Sequence, residues 1–290
     1  MATVGGERLM SKSWHLIVDV ERCNNCRACF LAVKDEYIGN DFPGYSAPQP
    51  AQGHNWLDIR RHERGRYPIV DAHFVPVMCN HCEDAPCMKV AENGAVTRRD
   101  DGLVIIDPVK AKGQKQIAEA CPYGAVSWNE EAQLPQAWTF DAHLLDQGWD
   151  RVRAEQCCPT GVFRTLKVDD AEMQRLTEAE NLTVLQPELG TRPRVHYKNM
   201  HLITDCFISG TVVENRQGVE ECVAEAEVVL SREGVEIART RTDTFGEFKL
   251  DHLPPHSGEY QVEVSGPAGR QQAQVTLGAE SPYIGVLTLR

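Results

Sequence analysis

Eight cysteines within the first 158 residues stand at spacings suited to iron chemistry. In "CNNCRAC", Cys23, Cys26 and Cys29 have the two-residue spacing that lets three thiolates of one tight loop reach three corners of a cubane cluster. In "CNHCEDAPC", Cys79, Cys82 and Cys87 repeat the pattern with a longer second gap. Neither triplet carries its own fourth ligand, since Val33 and Ala91 stand four residues after Cys29 and Cys87. Two Cys-Pro pairs show the opposite defect. Ahead of Cys121 and Pro122 in "CPYGAV", the places of the other three ligands hold Ala111, Gln114 and Ile117. Ahead of Cys158 and Pro159 in "CPTGVF", they hold Trp138, Asp141 and Ala154. In two-cluster ferredoxins the cysteine before proline serves the cluster held mainly by the other motif. Two triplets and two lone fourth ligands therefore complete two four-thiolate sites, and two 4Fe-4S clusters are expected. The residues alone leave the pairing open, because exchanging Cys121 and Cys158 changes nothing in the count.

Structural zinc also accepts four cysteines, but zinc ribbons use paired C-x2-C knuckles rather than C-x2-C-x2-C. His81, inside the second triplet, reads as a loop histidine near a cluster, since a full cysteine set is at hand; a mixed-ligand role is the rival. Cys157 reads as a buried thiol, with an alternate-ligand role beside Cys158 as the rival. Cys206 and Cys222 sit in strand-like sequence and read as core residues. No nucleophile array is present, so no catalytic residue is expected in this chain.

The elements that must position these thiols are legible in part. "WHLIVDV" reads as a strand entering the first cluster loop, and "AVTRRDDGLVIID" as a hairpin with an Asp-Gly turn. Asp107 and Pro108 open a helix that runs through Glu119 and delivers Cys121; "GAVSW" follows as a strand. The fold class expected is α+β: a doubled ferredoxin-like iron-sulfur domain over residues 1–168, then a small antiparallel β-sandwich over 205–290. Residues 169–204 read as a helical connector, with the capped helix "DDAEMQRLTEAENL" and a proline-spaced tail. From residue 205, seven short alternating segments separated by turns suggest a sandwich of transthyretin or carboxypeptidase-regulatory type, with Val228, Leu230, Phe248 and Leu250 on a shared buried face.

Composition bounds the partners. The chain has 290 residues, and 30 Lys+Arg against 42 Asp+Glu give a net charge of -12, which argues against nucleic acid. No apolar run approaches a membrane span. The start "MATVGGERLMSKSW" has neither an apolar leader nor a twin-arginine signal, so a cytoplasmic address is expected. In that reducing setting eleven cysteines favour ligands and buried thiols over disulfides. The basic run "RRHERGR" fits either a partner interface or a solvated face.

Taken together, the triplets, "HNWLDIRRHERGRYP", "DPVKAKG", "CPYG", "AHLLD", "PELGTRPRVHYKN" and "FGEFKL" resemble one family over nearly the whole chain. The resemblance is to the iron-sulfur electron-transfer subunits of the dimethyl sulfoxide reductase family, and within it to the small subunits of pyrogallol-phloroglucinol transhydroxylase and resorcinol hydroxylase. It implies a heterodimer with a large subunit that carries a molybdenum bis-pterin centre and hydroxylates or transhydroxylates a phenolic ring. It also implies a pairing: Cys23, Cys26 and Cys29 with Cys158, and Cys79, Cys82 and Cys87 with Cys121. Subunits of this family commonly carry three or four clusters, whereas this sequence has ligands for two. An alternative role is a scaffold whose clusters are redox-silent and whose surface shapes the large subunit.

Overall fold

The computed structural model describes residues 12–290, so the start of the chain weighed above for a leader lies outside the described residues. The chain forms two compact units: residues up to 60 together with 74–199, and residues 61–73 together with 200–290.

The first unit is organised around β1 (Ser13–Asp19), whose residues are buried along almost its whole length, as a central strand requires. After it come α1 (Ala28–Tyr37), the paired strands β2 (Leu57–Arg66) and β3 (Ile69–Met78), of which residues 61–73 belong to the second unit, and α2 (Pro86–Val90), with proline in its first turn. β4 (Val96–Arg98) and β5 (Val104–Ile106) form an antiparallel hairpin. At its turn Gly102 has φ +85°, and a Cβ there would lie 2.6 Å from Arg194 Nε, so glycine is required twice over. Then follow α3 (Gln116–Glu119), the hairpin β6 (Ser127–Asn129) and β7 (Leu134–Gln136), α4 (Ala142–Leu145), α5 (Arg153–Cys157), β8 (Phe163–Val168), α6 (Asp170–Glu180) and β9 (Val195–Lys198). β1 lies between β8, antiparallel to it, and β9, parallel to it.

Three local expectations need correcting. The helix expected from Asp107 to Glu119 is broken. Asp107 does cap a first turn, its carboxylate accepting from the amides of Val109 and Lys110 at 2.9 and 3.1 Å. Gly113 then enters the left-handed region at φ +82° and turns its amide to the Gln133 carbonyl, so helix resumes only at Gln116. The strand expected at "GAVSW" starts at Ser127, because Gly124 at φ +63° is spent on the turn after Cys121. Residues 169–204 do open with a helix, capped by the Asp169 side chain at 2.9 Å from the Glu172 amide and ended by Asn181 in left-handed geometry. They also contain β9, which the prolines and glycine around it disguise as connector.

The second unit holds α7 (His201–Thr204) and eight strands: β10 (Cys206–Arg216), β11 (Val219–Cys222), β12 (Glu227–Arg232), β13 (Val235–Arg241), β14 (Glu247–Leu253), β15 (Gly258–Gly266), β16 (Gly269–Leu277) and β17 (Tyr283–Leu289). β10 pairs with β11, β14 and β17 in one sheet, and the other runs β13-β12-β15-β16. Val228, Leu230, Phe248 and Leu250 join Ile208 and Val262 in one buried cluster drawn from both sheets. The sandwich is not wholly antiparallel, for β17 runs parallel to β10. Cys206 is buried, but Cys222 is exposed on β11, all four of whose residues face solvent.

Within the same unit, the basic run "RRHERGR" is neither wholly solvated nor wholly free for a partner. Arg64 is only 7% exposed. Its guanidinium donates to both carboxylate oxygens of Asp251 at 3.1 and 3.2 Å, to Asp71 at 3.0 Å and to the Asp205 carbonyl at 2.9 Å. Removing the guanidinium takes a donor from each of these groups, while Asp71 and Asp251 keep Lys249 Nζ at 2.8 and 3.2 Å. Arg64→Ala is therefore expected to cost on the order of 1–3 kcal/mol, read as a lower denaturation midpoint of this unit. An isolated fragment of residues 205–290 lacks Arg64 but keeps the two-sheet core. It should give a dispersed NMR spectrum at reduced stability, and a collapsed spectrum would refute an independent core.

Among the described residues, no helix is long and apolar enough to cross a membrane.

Candidate metal centres

The first thiol group grows from the end of β1. The Asp19 carboxylate accepts from the Glu21 amide, opening a short 3-10 turn over Val20–Arg22, and the Cys23 amide donates to the Val20 carbonyl at 3.2 Å. Asn25 and Arg27 then adopt left-handed backbone, at φ 59° and 62°, which coils the loop tightly before α1 begins. Cys29 lies in the first turn of α1, near the positive end of its dipole. α5 packs against α1 and delivers Cys157 and Cys158 to the same place. Cys23 and Cys29 both lie within electrostatic reach of Cys158, and Cys157 within reach of Cys26 and Cys29. The Val162 amide donates to Cys158 Sγ at 3.3 Å, while Cys157 Sγ donates to the Ala154 carbonyl at 3.5 Å. Burial first, and neighbouring thiols after it, push the Cys29 thiol up to about 12.

The second group starts where β3 ends. Cys79 follows Met78, His81 turns the chain at φ 45°, and Cys82 and Cys87 bracket the Pro86 that begins α2. α3 hands over to Cys121, whose amide donates to the Ala118 carbonyl at 3.3 Å. Each of Cys79, Cys82 and Cys87 lies within electrostatic reach of Cys121. Burial raises all three thiols, Cys87 to about 12. His81 is fully buried, and its Nδ1 accepts the Val104 amide at 3.0 Å, which ties the loop to β5. Its ring lies edge-on to Trp138 and Phe140, at 5.9 and 5.3 Å.

The places without cysteine are filled, each in its own way. Ala111 and Ile117 are fully buried in the apolar cluster that also contains Cys82 and Cys87. Gln114 uses both ends of its amide on backbone, accepting from the Glu92 amide at 2.8 Å and donating to the Lys110 carbonyl at 2.8 Å. On the other side Asp141 is a buried hub. Its Oδ1 accepts from Tyr37 and Trp138, each at 2.9 Å, and its Oδ2 from the Arg153 amide at 2.8 Å. Trp138 and Ala154 are buried around it.

The donor chemistry of both groups fits an iron-sulfur cluster. Cys23 and Cys29 in the first group and Cys79, Cys82 and Cys87 in the second resist ionisation on their own, because burial and neighbouring thiols both oppose the thiolate. A positively charged cluster core offsets both effects. No set of three or more His, Cys, Asp or Glu among the described residues is arranged around a single metal ion. Sequence reasoning missed the hydrogen-bonding hub at Asp141, whose only sequence sign was a charged residue where the motif wants a thiol.

Comparison with known proteins adds the following. A 4Fe-4S dicluster domain family matches residues 70–168, and a carboxypeptidase regulatory-like domain family matches residues 208–290. The chain is similar to the pyrogallol hydroxytransferase small subunit of Pelobacter acidigallici, with 40% identity over 281 residues covering 96% of this chain and 100% of the relative. It is also similar to the arsenate respiratory reductase iron-sulfur subunit of Shewanella sp. strain ANA-3, with 32% identity over 63% of this chain and 94% of the relative. The thiosulfate reductase electron transfer subunit of Salmonella typhi shows 29% identity over 57% of this chain and 82% of its own length.

Proposed function

The chain belongs to the family of iron-sulfur subunits that includes the pyrogallol hydroxytransferase small subunit, and from that premise we propose that it is the electron-transfer small subunit of a molybdopterin enzyme acting on phenolic rings. The ligand sets are Cys23, Cys26, Cys29 and Cys158 for one 4Fe-4S cluster, and Cys79, Cys82, Cys87 and Cys121 for the other, within a doubled ferredoxin-like arrangement. The observation that carries this reading is the reach of Cys121 to all three thiols of a motif that lacks a fourth. The substrate, the molybdenum bis-pterin and the active site belong to a large partner subunit, and the working address is the cytoplasm.

When bound, each cluster supplies one-electron redox capacity. The chain's own part is to hold it and shield it. α1 and α5 fix the first set, and the Val162 amide donates to a ligand sulfur, which favours the thiolate. The apolar cluster around Cys82 and Cys87 keeps water from the second set.

Ala111, Gln114 and Ile117 leave no thiols for a cluster of their own beside Cys121, and Trp138, Asp141 and Ala154 leave none beside Cys158. The chain therefore supports a short relay, not a four-cluster wire. Freeze-quench EPR of the assembled enzyme is expected to show substrate reducing at most one cluster on the turnover timescale. Rapid, stoichiometric reduction of both would overturn the short-relay reading. Clusters that respond to neither substrate nor redox titration would favour the scaffold role instead.

A further inference from the structure

A small cavity in the first unit is lined by Ser46, Trp56, Cys79, Cys87, Gln136 and Trp138, among others. Its polar lining divides into two classes. Trp138 Nε1 donates to Asp141, and Thr139 shares a 2.7 Å hydrogen bond with Tyr37. Gln136 donates to the carbonyls of Ala47 and Pro48 at 3.2 and 3.0 Å and accepts from Asn129, while the Tyr45 hydroxyl donates to Asp146. By contrast, Trp56 Nε1 and Ser46 Oγ are buried without a hydrogen-bond partner. Their residues are 1% and 6% exposed, so bulk water does not serve them.

An indole N–H can only donate, and a hydroxyl can donate and accept. Buried donors in native proteins are normally paired, and two orphans lining one small space call for a common acceptor. Once the other polar side chains of the cavity are accounted for, the side chains left on its wall that can accept are the thiols of Cys79 and Cys87.

We propose that Trp56 and Ser46 are positioning residues for the second iron-sulfur site, donating hydrogen bonds to the sulfurs of the cluster held there and so setting its reduction potential. This rests on the two-cluster reading above. Donors aimed at ligand or bridging sulfur stabilise the more negative, reduced state and raise the potential. The first site lies at a different pair of loops and does not share them.

The test uses the assembled enzyme with Trp56→Phe, which keeps an aromatic ring but deletes the N–H, together with Ser46→Ala and Ser46→Thr. Trp56→Phe should shift the second cluster to a more negative potential. A change of about tenfold in the reduced-to-oxidised ratio at fixed ambient potential corresponds to about 59 mV for one electron. Ser46→Ala should shift it the same way, and Ser46→Thr should restore it. Resonance Raman supplies a readout that a packing role would not move: iron-sulfur stretching frequencies should respond to H2O/D2O exchange in the wild type and respond less in Trp56→Phe. Iron analysis separates cluster binding from cluster tuning. If the wild type binds no iron through the second thiol group, the two-cluster reading fails and takes this inference with it. If iron is bound but Trp56→Phe changes neither the potential nor the deuterium response, the inference alone fails.

Discussion

Cys121→Ala is expected to halve the iron content of the chain, from about eight atoms to about four, by emptying a site whose other three ligands lie in a different motif. The physical reason is the isolation of Cys121. It is the thiol within reach of Cys79, Cys82 and Cys87 together, and its surroundings are apolar side chains such as Ala85, Ala111 and Ile117 that have no donor atom to offer. With three thiolates left, the cluster loses one corner ligand inside a dry pocket. Cys158→Ala should be milder, because Cys157 stands beside it and already reaches Cys26 and Cys29. Metal analysis and EPR of both variants decide the matter. Unchanged iron in Cys121→Ala would sink the assigned ligand set, and equal losses in the two variants would remove any reserve role for Cys157.

The second large effect is on stability. Asp141→Ala should destabilise the first unit by on the order of 3–5 kcal/mol, since it strands the Trp138 indole and the Arg153 amide and leaves the Tyr37 hydroxyl with Thr139 in place of two partners. Asp141→Asn should cost less. Burial raises the Asp141 pKa in the folded chain, with the Arg153 amide, Trp138 and Tyr37 opposing the rise. A raised folded-state pKa means that protonation favours the fold, and that this contribution fades as pH climbs past the ordinary carboxylate range. Asparagine never ionises and escapes that loss, but it can turn an N–H toward the Arg153 amide, where an acceptor is needed. Denaturant titrations at two pH values, followed by tryptophan fluorescence, should show the gap between aspartate and asparagine narrowing as pH rises. A gap that widens would contradict the sign.

The thiol pattern was legible because ligand geometry is written as local spacing: three cysteines in a tight loop can be read without knowing what lies opposite. Strand alternation in the second unit was legible for a similar reason, since Val228 and Leu230 or Phe248 and Leu250 mark a face by themselves. What escaped depends on distant partners. β9 is four residues in a proline- and glycine-rich stretch, and it is a strand because β1 lies alongside it. Arg64 looked like surface charge, and nothing near it in sequence announces Asp251. The break at Gly113 was visible as a glycine, but the Gln133 carbonyl that rewards the turn was not. Trp56 and Ser46 have no pattern at all; only the absence of a partner in three dimensions singles them out.

The filling of the places where cysteine is missing bears on what mutation can undo. A lost ligand can be regained by one codon change only while the hole it served stays open. Here Ala111 and Ile117 are packed into the core, and Gln114 has taken structural work by stitching residue 92 to residue 110. Restoring three cysteines would break that stitch and widen a closed core before any cluster could repay the disruption. Each intermediate step would be worse than its starting point. A longer wire would be gained more readily by recruiting another subunit than by placing cysteines at these positions.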